Sequence, residues 1–364
     1  MMHGFGELKV DLLCRGIRLG VDIDRGRKGG AGPAGGRYIV LPSGRCVNAA
    51  MWGRFVEKSP YILVEEGEKF YVIREGGEKV SEVSLVPYPQ FYGKCTSYGT
   101  PMWKVALLHG VDCLATTVFQ KCVYWDRGLG CKFCGIELSL KSGRTILLKR
   151  PKEFREVVDA AVEEEVCKHI TLTTGTPGTP DKGAKLLAEI VLEVKSHHKV
   201  PIHVQLEPPN DFKYIEELAD AGADTIGIHI ETFDKKVFHE VCPGKGRIGM
   251  KKFYETWKRC VELFGECQVS TYIIVGLGES VESIIKGSEI AAEIGVIPYI
   301  VPLRPIIGTP FENRFPPSPE ALTHIYREVA QILRDYGVDP HKNIAGCVRC
   351  GACSALTEAY ENKL

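Results

Sequence analysis

The feature that most constrains the fold is an alternation of strand-length apolar runs with amphipathic helical segments between about residues 105 and 336. The apolar runs predict strands over residues 113–118, 170–174, 202–207, 225–230, 268–275 and 299–302. Apolar residues at helical spacing predict helices over residues 153–167, 182–197, 213–221, 251–264, 281–294 and 319–336. Alternating strands and helices are typical of a parallel sheet covered by helices. We therefore predict an α/β fold in which six βα units curve into a partial (β/α)6 TIM-like barrel, with a doubly wound open sheet as the alternative.

The flanking segments differ in character. Residues 1–35 are predicted to be irregular, because the stretch RGRKGGAGPAGGR is rich in glycine. Residues 37–92 alternate apolar and polar side chains and have turn candidates at Glu66-Gly67 and Gly76-Gly77, which predicts a small antiparallel sheet. The predicted division is an N-terminal Gly-rich and β-rich region over 1–100, the barrel over 101–336 and a cysteine tail over 337–364. We expect this tail to fold back over the mouth of the barrel.

Composition excludes several classes of function. The 46 Lys and Arg residues balance the 46 Asp and Glu residues, so the chain lacks the basic surface that non-specific nucleic-acid binding requires. No apolar segment is long enough to span a membrane, and no signal peptide is visible, so we expect a cytoplasmic protein without a membrane or nucleic-acid partner.

Six of the 14 cysteines form two compact groups. Cys122, Cys131 and Cys134 follow the first predicted barrel strand, and Cys347, Cys350 and Cys353 lie in the tail. In a cytosolic chain such groups favour metal binding over disulfides. Zinc commonly takes four protein ligands, and a structural zinc remains the alternative. Three thiolates also suit a [4Fe–4S] cluster, with one iron left open for a small molecule.

Polar side chains lie on one face of each of two predicted barrel strands. His203, Gln205 and Glu207 share one face of the third strand, and His229 and Glu231 share one face of the fourth. If these faces point inward, the barrel interior binds a polar ligand, whereas a structural barrel is filled by Val, Ile and Leu. The alternative is that they face the helices, and for His203 and His229 an ordinary core histidine fits the pattern equally well.

The loop CVYWDRGLGCKFC, placed after the first strand of such a barrel, resembles the cluster loop of the radical S-adenosylmethionine (SAM) superfamily. Its C-x8-C-x2-C spacing is a less usual variant of the family's C-x3-C-x2-C, and Phe133 matches the aromatic before the last cysteine. The likeness covers roughly residues 105–305. By position, Thr173, Thr174 and Gly175 correspond to the family's Gly-Gly-Glu contact with the SAM amino group, although the glutamate is missing. Ile274 and Gly276 match the strand that lines the adenine, with Tyr272 in place of a family glycine.

More narrowly, the segments GGAGP, DCLATTVFQKC, GIHIETFD and CVRCGACSAL resemble a subgroup of radical SAM proteins, and we also suspect similarity to the archaeal two-protein lipoyl synthases. The resemblance implies that a reduced cluster cleaves SAM to methionine and a 5′-deoxyadenosyl radical, which abstracts hydrogen from an unactivated carbon. An auxiliary [4Fe–4S] cluster in the tail would donate sulfide, bind substrate or relay an electron. Lipoyl synthesis implies an octanoylated lipoyl-carrier protein, a second radical SAM protein and a reduced electron donor as partners.

The octanoyl chain would need an apolar passage to the cluster. Candidates to line it are Pro302, Leu303, Pro305, Ile306 and Ile307. Arg304, among them, is a candidate to bind a carboxylate of SAM or substrate, or else to form a surface ion pair. Cys14, Cys46 and Cys95 are candidate fourth ligands of the auxiliary cluster. Other functions remain open: a radical SAM dehydrogenase, mutase or peptide- or nitrile-metabolism enzyme with an intact auxiliary cluster, or a non-enzymatic electron carrier or zinc scaffold.

Overall fold

The computed structural model describes residues 4–26 and 36–364, and the GGAGP motif lies outside these ranges. The chain opens with helix α1 (Phe5–Arg15), where the sequence predicted irregular structure. That prediction was wrong because the helix is stabilised by distant contacts. Leu8 and Leu12 are buried, and the ammonium group of buried Lys9 pairs with the Glu358 carboxylate at 2.7 Å. A lysine on the buried face conceals the helical pattern.

The N-terminal region continues with six strands and a helical turn. These are β1 (Arg18–Leu19), β2 (Arg37–Val40), β3 (Cys46–Ala49), α2 (Arg54–Glu57), β4 (Tyr61–Glu66), β5 (Lys69–Arg74) and β6 (Lys79–Leu85). They form one sheet in the order β1-β4-β5-β6-β2-β3. The predicted antiparallel pairing is confirmed except that β1 pairs with β4 in parallel. Gly67, Gly76 and Gly77 adopt positive φ values, which confirms the two predicted turns.

The second sheet and its helices account for the rest of the chain. The elements are a 3-10 turn at Gln90–Gly93, α3 (Met102–Val105), β7 (Leu107–His109), β8 (Cys113–Thr117), α4 (Val123–Asp126), α5 (Ile136–Lys141), α6 (Pro151–Glu163), β9 (His169–Thr173), α7 (Ala184–Lys195), β10 (Ile202–Gln205), α8 (Lys213–Asp220), β11 (Thr225–Gly227), α9 (Lys235–Val241), α10 (Pro243–Gly246), α11 (Met250–Phe264), β12 (Val269–Val275), α12 (Val281–Glu293), β13 (Val296–Pro302), α13 (Pro319–Asp335), a 3-10 turn at Pro340–Lys342, α14 (Cys347–Cys350) and α15 (Leu356–Tyr360).

The strand order identifies the architecture. The sheet runs β13-β12-β11-β10-β9-β8-β7, so the six parallel strands lie side by side in chain order. A doubly wound sheet requires a reversal of strand order, and none occurs in this sheet. Right-handed crossovers without a reversal place every helix on one side, which curls the sheet into the predicted partial barrel. Strand β7, which the sequence did not predict, adds antiparallel to β8.

Several predicted boundaries were wrong. The helix predicted over 153–167 ends at Glu163, and Glu165 adopts a φ of +59° that no helix can continue. The strand predicted over 225–230 ends at Gly227, and beyond it the Ile230 amide donates to the side-chain Oγ1 of Thr271 in β12 at 3.0 Å and not to a backbone carbonyl of that strand. The strand predicted over 299–302 begins earlier, at Val296.

The tail runs below the barrel, and the expectation that it covers the mouth was wrong. Gly346 N donates to Nδ1 of His169, the first residue of β9, at 3.0 Å. Thr225, the first residue of β11, donates from Oγ1 to Ala345 O at 3.4 Å. Asn343 Nδ2 donates to the carbonyl of Cys267, just before β12, at 2.7 Å. The tail therefore closes the end of the barrel where the strands begin.

The N-terminal sheet covers the open side of the partial barrel. The Asn48 amide of β3 donates to Ala352 O in the tail at 2.7 Å, and the Tyr38 ring of β2 lies 5.9 Å from the His109 ring of β7. One apolar core includes residues of the N-terminal region, the barrel and the tail. Among the helices of the described ranges, none is long and apolar enough to cross a membrane.

Candidate active site

One cavity of about 340 Å³ fills the barrel interior. Its walls come from β8, β9, β10, β12 and β13, from the cysteine loop and from the tail. Of the site residues predicted from sequence, all but Gly276 line it: Cys122, Cys131, Phe133, Cys134, Thr173, Thr174, Gly175, Gln205, Glu207, Glu231, Ile274, Arg304, Cys347, Cys350 and Cys353. Both cysteine groups thus face the same space.

The Cys122–Cys134 loop is fastened at the ends of the strands. The Val123 amide donates to Thr176 O at 2.8 Å, and the Lys132 amide donates to Val241 O at 2.9 Å. Gly175 permits this packing, because a Cβ atom there would lie 2.1 Å from Lys121 O. Its amide also donates to Phe119 O at 2.8 Å. Gly175 therefore allows the start of the cysteine loop to pack closely against the end of β9.

Backbone amides converge on the loop thiols. Burial raises the pKa of Cys122, while hydrogen bonds from the amides of Tyr124 and Thr176 lower it. Burial likewise raises the pKa of Cys134, and the Ile136 amide opposes this. Amides directed at sulfur stabilise the thiolate form and are characteristic of cluster-binding loops.

A buried lysine, which the sequence did not single out, lies beside the loop. Lys245 Nζ is 2.6 Å from Glu231 Oε1 and donates to His229 O at 3.0 Å. Burial disfavours its charged form, but the charges of Glu231, Cys131 and Glu207 raise its pKa above the ordinary lysine value. Lys245 therefore brings a fixed positive charge to this end of the cavity. It lies in the short Gly-rich helix α10, where nothing in the sequence distinguishes it from a surface lysine.

Two further polar groups mark the same end. Glu207 Oε2 accepts a hydrogen bond from Tyr124 Oη at 3.1 Å, and burial raises the pKa of this carboxyl group. Glu231 has a φ of +72°, which is rare for a side-chain-bearing residue and common at functional sites. The Cys131 thiol hydrogen-bonds to the Cys242 thiol, and this contact, with burial, raises the pKa of Cys131.

The tail cysteines receive side-chain donors at the opposite end. Gln205 Nε2 donates to Cys347 Sγ at 3.6 Å, and the Tyr272 hydroxyl donates to the same sulfur. Asn48 Nδ2 donates to Cys353 Sγ at 4.0 Å. Burial raises the pKa of Cys353 to about 12, and the nearby Arg304 guanidinium opposes the rise. Tyr272, the departure from the family glycine, also stacks on His229 with ring centroids 4.2 Å apart.

The two groups lie at opposite ends of the cavity. The His203 ring packs against Gly346 of the tail, where a Cβ atom would lie 2.4 Å from the ring. Four residues later, Glu207 contacts Tyr124 of the cysteine loop. An extended chain rises about 3.3 Å per residue, so these contacts are roughly 13 Å apart. Both groups therefore border the same cavity from opposite ends.

The donor set fits two iron–sulfur clusters. Each group offers three thiols with amide or side-chain donors aimed at sulfur, an arrangement that tunes cluster potentials. Three buried atoms in the cavity wall, Trp125 Nε1, His229 Nε2 and Tyr299 Oη, have no hydrogen-bond partner within the described residues. Residues 4–26 and 36–364 contain no group of three or more His, Cys, Asp or Glu arranged around a single metal ion.

Some candidates lie elsewhere. Gly276 has a φ of +109° and donates from its amide to Glu279 Oε1 at 2.9 Å, so it forms a turn behind the cavity wall. Pro302, Leu303 and Ile306 line the cavity, whereas Pro305 does not and Ile307 is exposed. Arg304 lines the wall and donates from Nη2 to Asn48 O at 2.9 Å.

The cysteines predicted as candidate fourth ligands of the tail cluster differ in where they lie. None of Cys14, Cys46 and Cys95 lines the cavity, and Cys95 is exposed. Cys46 is buried near Cys350, whose charge adds to burial in raising the pKa of Cys46. His203 is a buried core histidine whose pKa burial lowers to about 3, whereas His229 lines the cavity.

Two sequence comparisons relate this chain to known proteins. Residues 128–286 match the family model described as the Radical SAM superfamily. The bacteriochlorophyllide c C-7(1)-hydroxylase of Chlorobaculum limnaeum is 24% identical over 357 residues, which cover 91% of this chain and 85% of that protein. Residues 128–286 therefore carry a radical SAM domain, and the cysteine loop lies at the mouth of the partial barrel that this domain forms.

Solved structures with similar folds were also found. Methylornithine synthase aligns with a TM-score of 0.49 and 17% identity, over 63% of this chain and 64% of that one. A radical SAM methyltransferase from Sphaerobacter thermophilus aligns with a TM-score of 0.47 and 15% identity, over 77% of this chain and 75% of that one. The chain thus spans slightly less than two thirds of the length of methylornithine synthase.

Proposed function

We propose that this radical SAM enzyme inserts sulfur into an unactivated C–H bond of an octanoyl-type substrate, as a lipoyl synthase does. Cys122, Cys131 and Cys134 would hold the [4Fe–4S] cluster that binds SAM, and Cys347, Cys350 and Cys353 an auxiliary [4Fe–4S] cluster. The observation that carries the proposal is the placement of both cysteine groups on one cavity. An electron relay could lie outside the cavity, whereas a sulfur donor must touch the substrate.

When bound, the loop cluster and SAM supply a 5′-deoxyadenosyl radical, which removes a hydrogen atom from an unactivated carbon. The chain binds and orients the reactants and excludes water. The Lys245–Glu231 ion pair gives the loop end of the cavity polar groups that can orient a polar reactant, and Arg304 lines the wall toward the tail end. Ile136, Ile274, Val301, Leu303 and Ile306 give the cavity an apolar wall that suits an alkyl chain.

The proposed partners follow from this substrate. An octanoyl group is carried on a lipoyl-carrier protein, a second radical SAM protein would share the work, and a reduced donor would supply the electron for SAM cleavage. For each C–S bond, the substrate C–H group, one SAM, one electron from the donor and one cluster sulfide would give the thiolate product, one methionine and one 5′-deoxyadenosine. The substrate carbon loses two electrons: one would leave with the hydrogen atom taken by the 5′-deoxyadenosyl radical, and the other would reduce a ferric iron of the auxiliary cluster when the C–S bond forms.

A second candidate is an oxidation without sulfur transfer. It is favoured by the relative of this chain that is named as a hydroxylase, which aligns over 91% of the chain. In this case the auxiliary cluster binds substrate or relays an electron and keeps its sulfide.

The experiment labels the cluster sulfide. The protein is reconstituted anaerobically with ³⁴S sulfide and given SAM, dithionite and an octanoylated carrier protein or peptide. Sulfur insertion predicts ³⁴S in the product by mass spectrometry, with loss of cluster sulfide that parallels turnover. SAM cleavage with an unlabelled product and full retention of sulfide would contradict sulfur insertion and support the second candidate.

A further inference from the structure

The sequence leaves open which residue completes the tail cluster, and the cavity brings a thiol to it that the cysteine spacing did not reveal. Cys113 is the first residue of β8 and is almost fully buried, with 1% of its surface exposed. Cys113 lines the cavity, as do Ala115, Thr116 and Thr117 of the same strand. Alternation along the strand places Cys113 on the same face as Ala115 and Thr117. Cys113 therefore points into the interior of the barrel.

The tail approaches Cys113 through the turn between β7 and β8. A Cβ atom built on Gly110 in this turn would lie 2.7 Å from Cys350 Sγ. Three residues later the same turn delivers Cys113, which pairs in register with His109 across the hairpin. Cys350 is thus packed on the turn that positions Cys113.

The surroundings of Cys113 suit a metal ligand. Its sulfur lies 3.3 Å from Thr171 Oγ1, a hydroxyl in the cavity wall. Cys113 is buried close to the Cys350 and Cys347 thiols. Several thiols crowded in an apolar site are costly as anions unless cations share them, and iron provides those cations.

We propose that Cys113 is the fourth ligand of the cluster held by Cys347, Cys350 and Cys353. This inference rests on the tail cluster of the proposed function. Four thiolates leave no open iron, so the substrate would meet the sulfide of this cluster and not coordinate its iron. Cys46 is the nearest competitor, but it lies behind the cavity wall.

The test uses a parent protein in which Cys122, Cys131 and Cys134 are changed to Ala, so that only the tail can bind a cluster. Cys113→Ala, Cys113→Ser and the matched control Cys46→Ala are made in this parent and reconstituted anaerobically. Iron and sulfide are counted per chain, Mössbauer and EPR spectra report the cluster type, and circular dichroism checks the fold.

We expect about four irons in the parent and in Cys46→Ala. Cys113→Ala should lose an iron or give a three-iron EPR signal on oxidation, and Cys113→Ser should keep four irons with an altered Mössbauer spectrum. Parent-like spectra for both Cys113 variants would overturn the assignment while leaving the tail cluster intact. A folded parent without iron would instead overturn the tail cluster itself.

Discussion

A buried ion pair sets the charge of the cavity next to the cysteine loop. The side chains of Lys245 and Glu231 are 12% and 9% exposed, and their charged atoms are 2.6 Å apart. Removing one partner of such a pair leaves a buried charge uncompensated, which costs far more than the pair itself contributes. Substitution of one partner of this pair should therefore lower the free energy of unfolding.

Lys245→Met should destabilise the protein by roughly 3 to 5 kcal/mol, because it leaves the Glu231 carboxylate buried and unpaired. Adding Glu231→Gln should recover part of this loss. Urea unfolding of wild type and both variants measures the effect.

Lys251→Met is the matched control. The Lys251 side chain is 91% exposed, and its contact with Glu255 at 3.7 Å is solvated, so the change should cost less than about 1 kcal/mol. Equal losses for Lys245→Met and Lys251→Met would show that the buried pair does not act as described.

For single residues, the sequence predicts the cavity side chains that lie on barrel strands but not the side chains that reach the cavity from other elements. Period-2 alternation predicted that Gln205, Glu207 and Glu231 face the interior, and all three line the cavity. Lys245 lies in the short helix α10 and Asn48 lies in the N-terminal sheet, and both come close to the cysteines only when the chain folds. Cys113 lies far before the tail cysteines along the chain, so no spacing motif connects it with them.

The tail is the element whose path most affects the site. It crosses the barrel below β9 to β12 and holds its three cysteines against the cavity. Gly346 permits the crossing, because it has a φ of +89° and leaves no space for a Cβ atom beside the His203 ring.

Gly346→Ala should therefore displace the tail and prevent the proposed tail cluster from forming, while the proposed cluster of the Cys122–Cys134 loop is retained. Gly337→Ala is the matched control, since Gly337 has a φ of +70° but open space around it. The control should cost only about 1 to 2 kcal/mol for the left-handed backbone. Iron counting and urea unfolding distinguish the two, and identical behaviour would contradict the packing role of Gly346.

The tail is also anchored by a charged cluster that gives it a pH dependence. Partial burial pulls the pKa of His341 down, but hydrogen bonds to Glu361 and Asp339 raise it above its ordinary value. Partial burial would raise the pKa of Glu361, but Lys363, His341 and Arg45 lower it to about 2. Protonated His341 and ionised Glu361 are therefore the stabilising forms.

The sign of the effect follows from linkage. The contribution of His341 is complete below its unfolded pKa near 6.5 and is lost as pH rises through its higher folded pKa. The contribution of Glu361 is complete above 4.5 and is lost as pH falls toward 2. His341→Gln should thus lower the Tm most between about pH 4.5 and 6.5, by a small amount because water screens the 43% exposed ring.

Thermal unfolding from pH 4 to 8 measures this difference. His324→Gln, on an exposed face of α13, is the control and should leave the Tm unchanged across the range. A Tm difference for His341→Gln that grows above pH 7 would contradict the assigned direction.

For the whole molecule, the sequence predicts the barrel well because its signal is local and repeated. Each parallel strand is an apolar run followed by an amphipathic helix, and each falls within a few residues of its predicted range. Helix α1 and the course of the tail depend on contacts between the two ends of the chain, such as Lys9 with Glu358. Such pairing over 349 residues leaves no pattern along the sequence.

The proposed function gives the two cysteine groups different roles. In the proposed function, a cluster held by Cys122, Cys131 and Cys134 would cleave SAM at the mouth of the barrel, and a cluster held by the tail cysteines would serve a later step. The two functions should therefore be separable by substitution.

The most direct measurement is 5′-deoxyadenosine formation from SAM and dithionite by anaerobically reconstituted proteins. Wild type and a Cys347/Cys350/Cys353→Ala variant should both form 5′-deoxyadenosine, the variant with about four irons per chain in place of about eight. A folded Cys122/Cys131/Cys134→Ala variant should form none. Undiminished 5′-deoxyadenosine from this last variant would contradict the account.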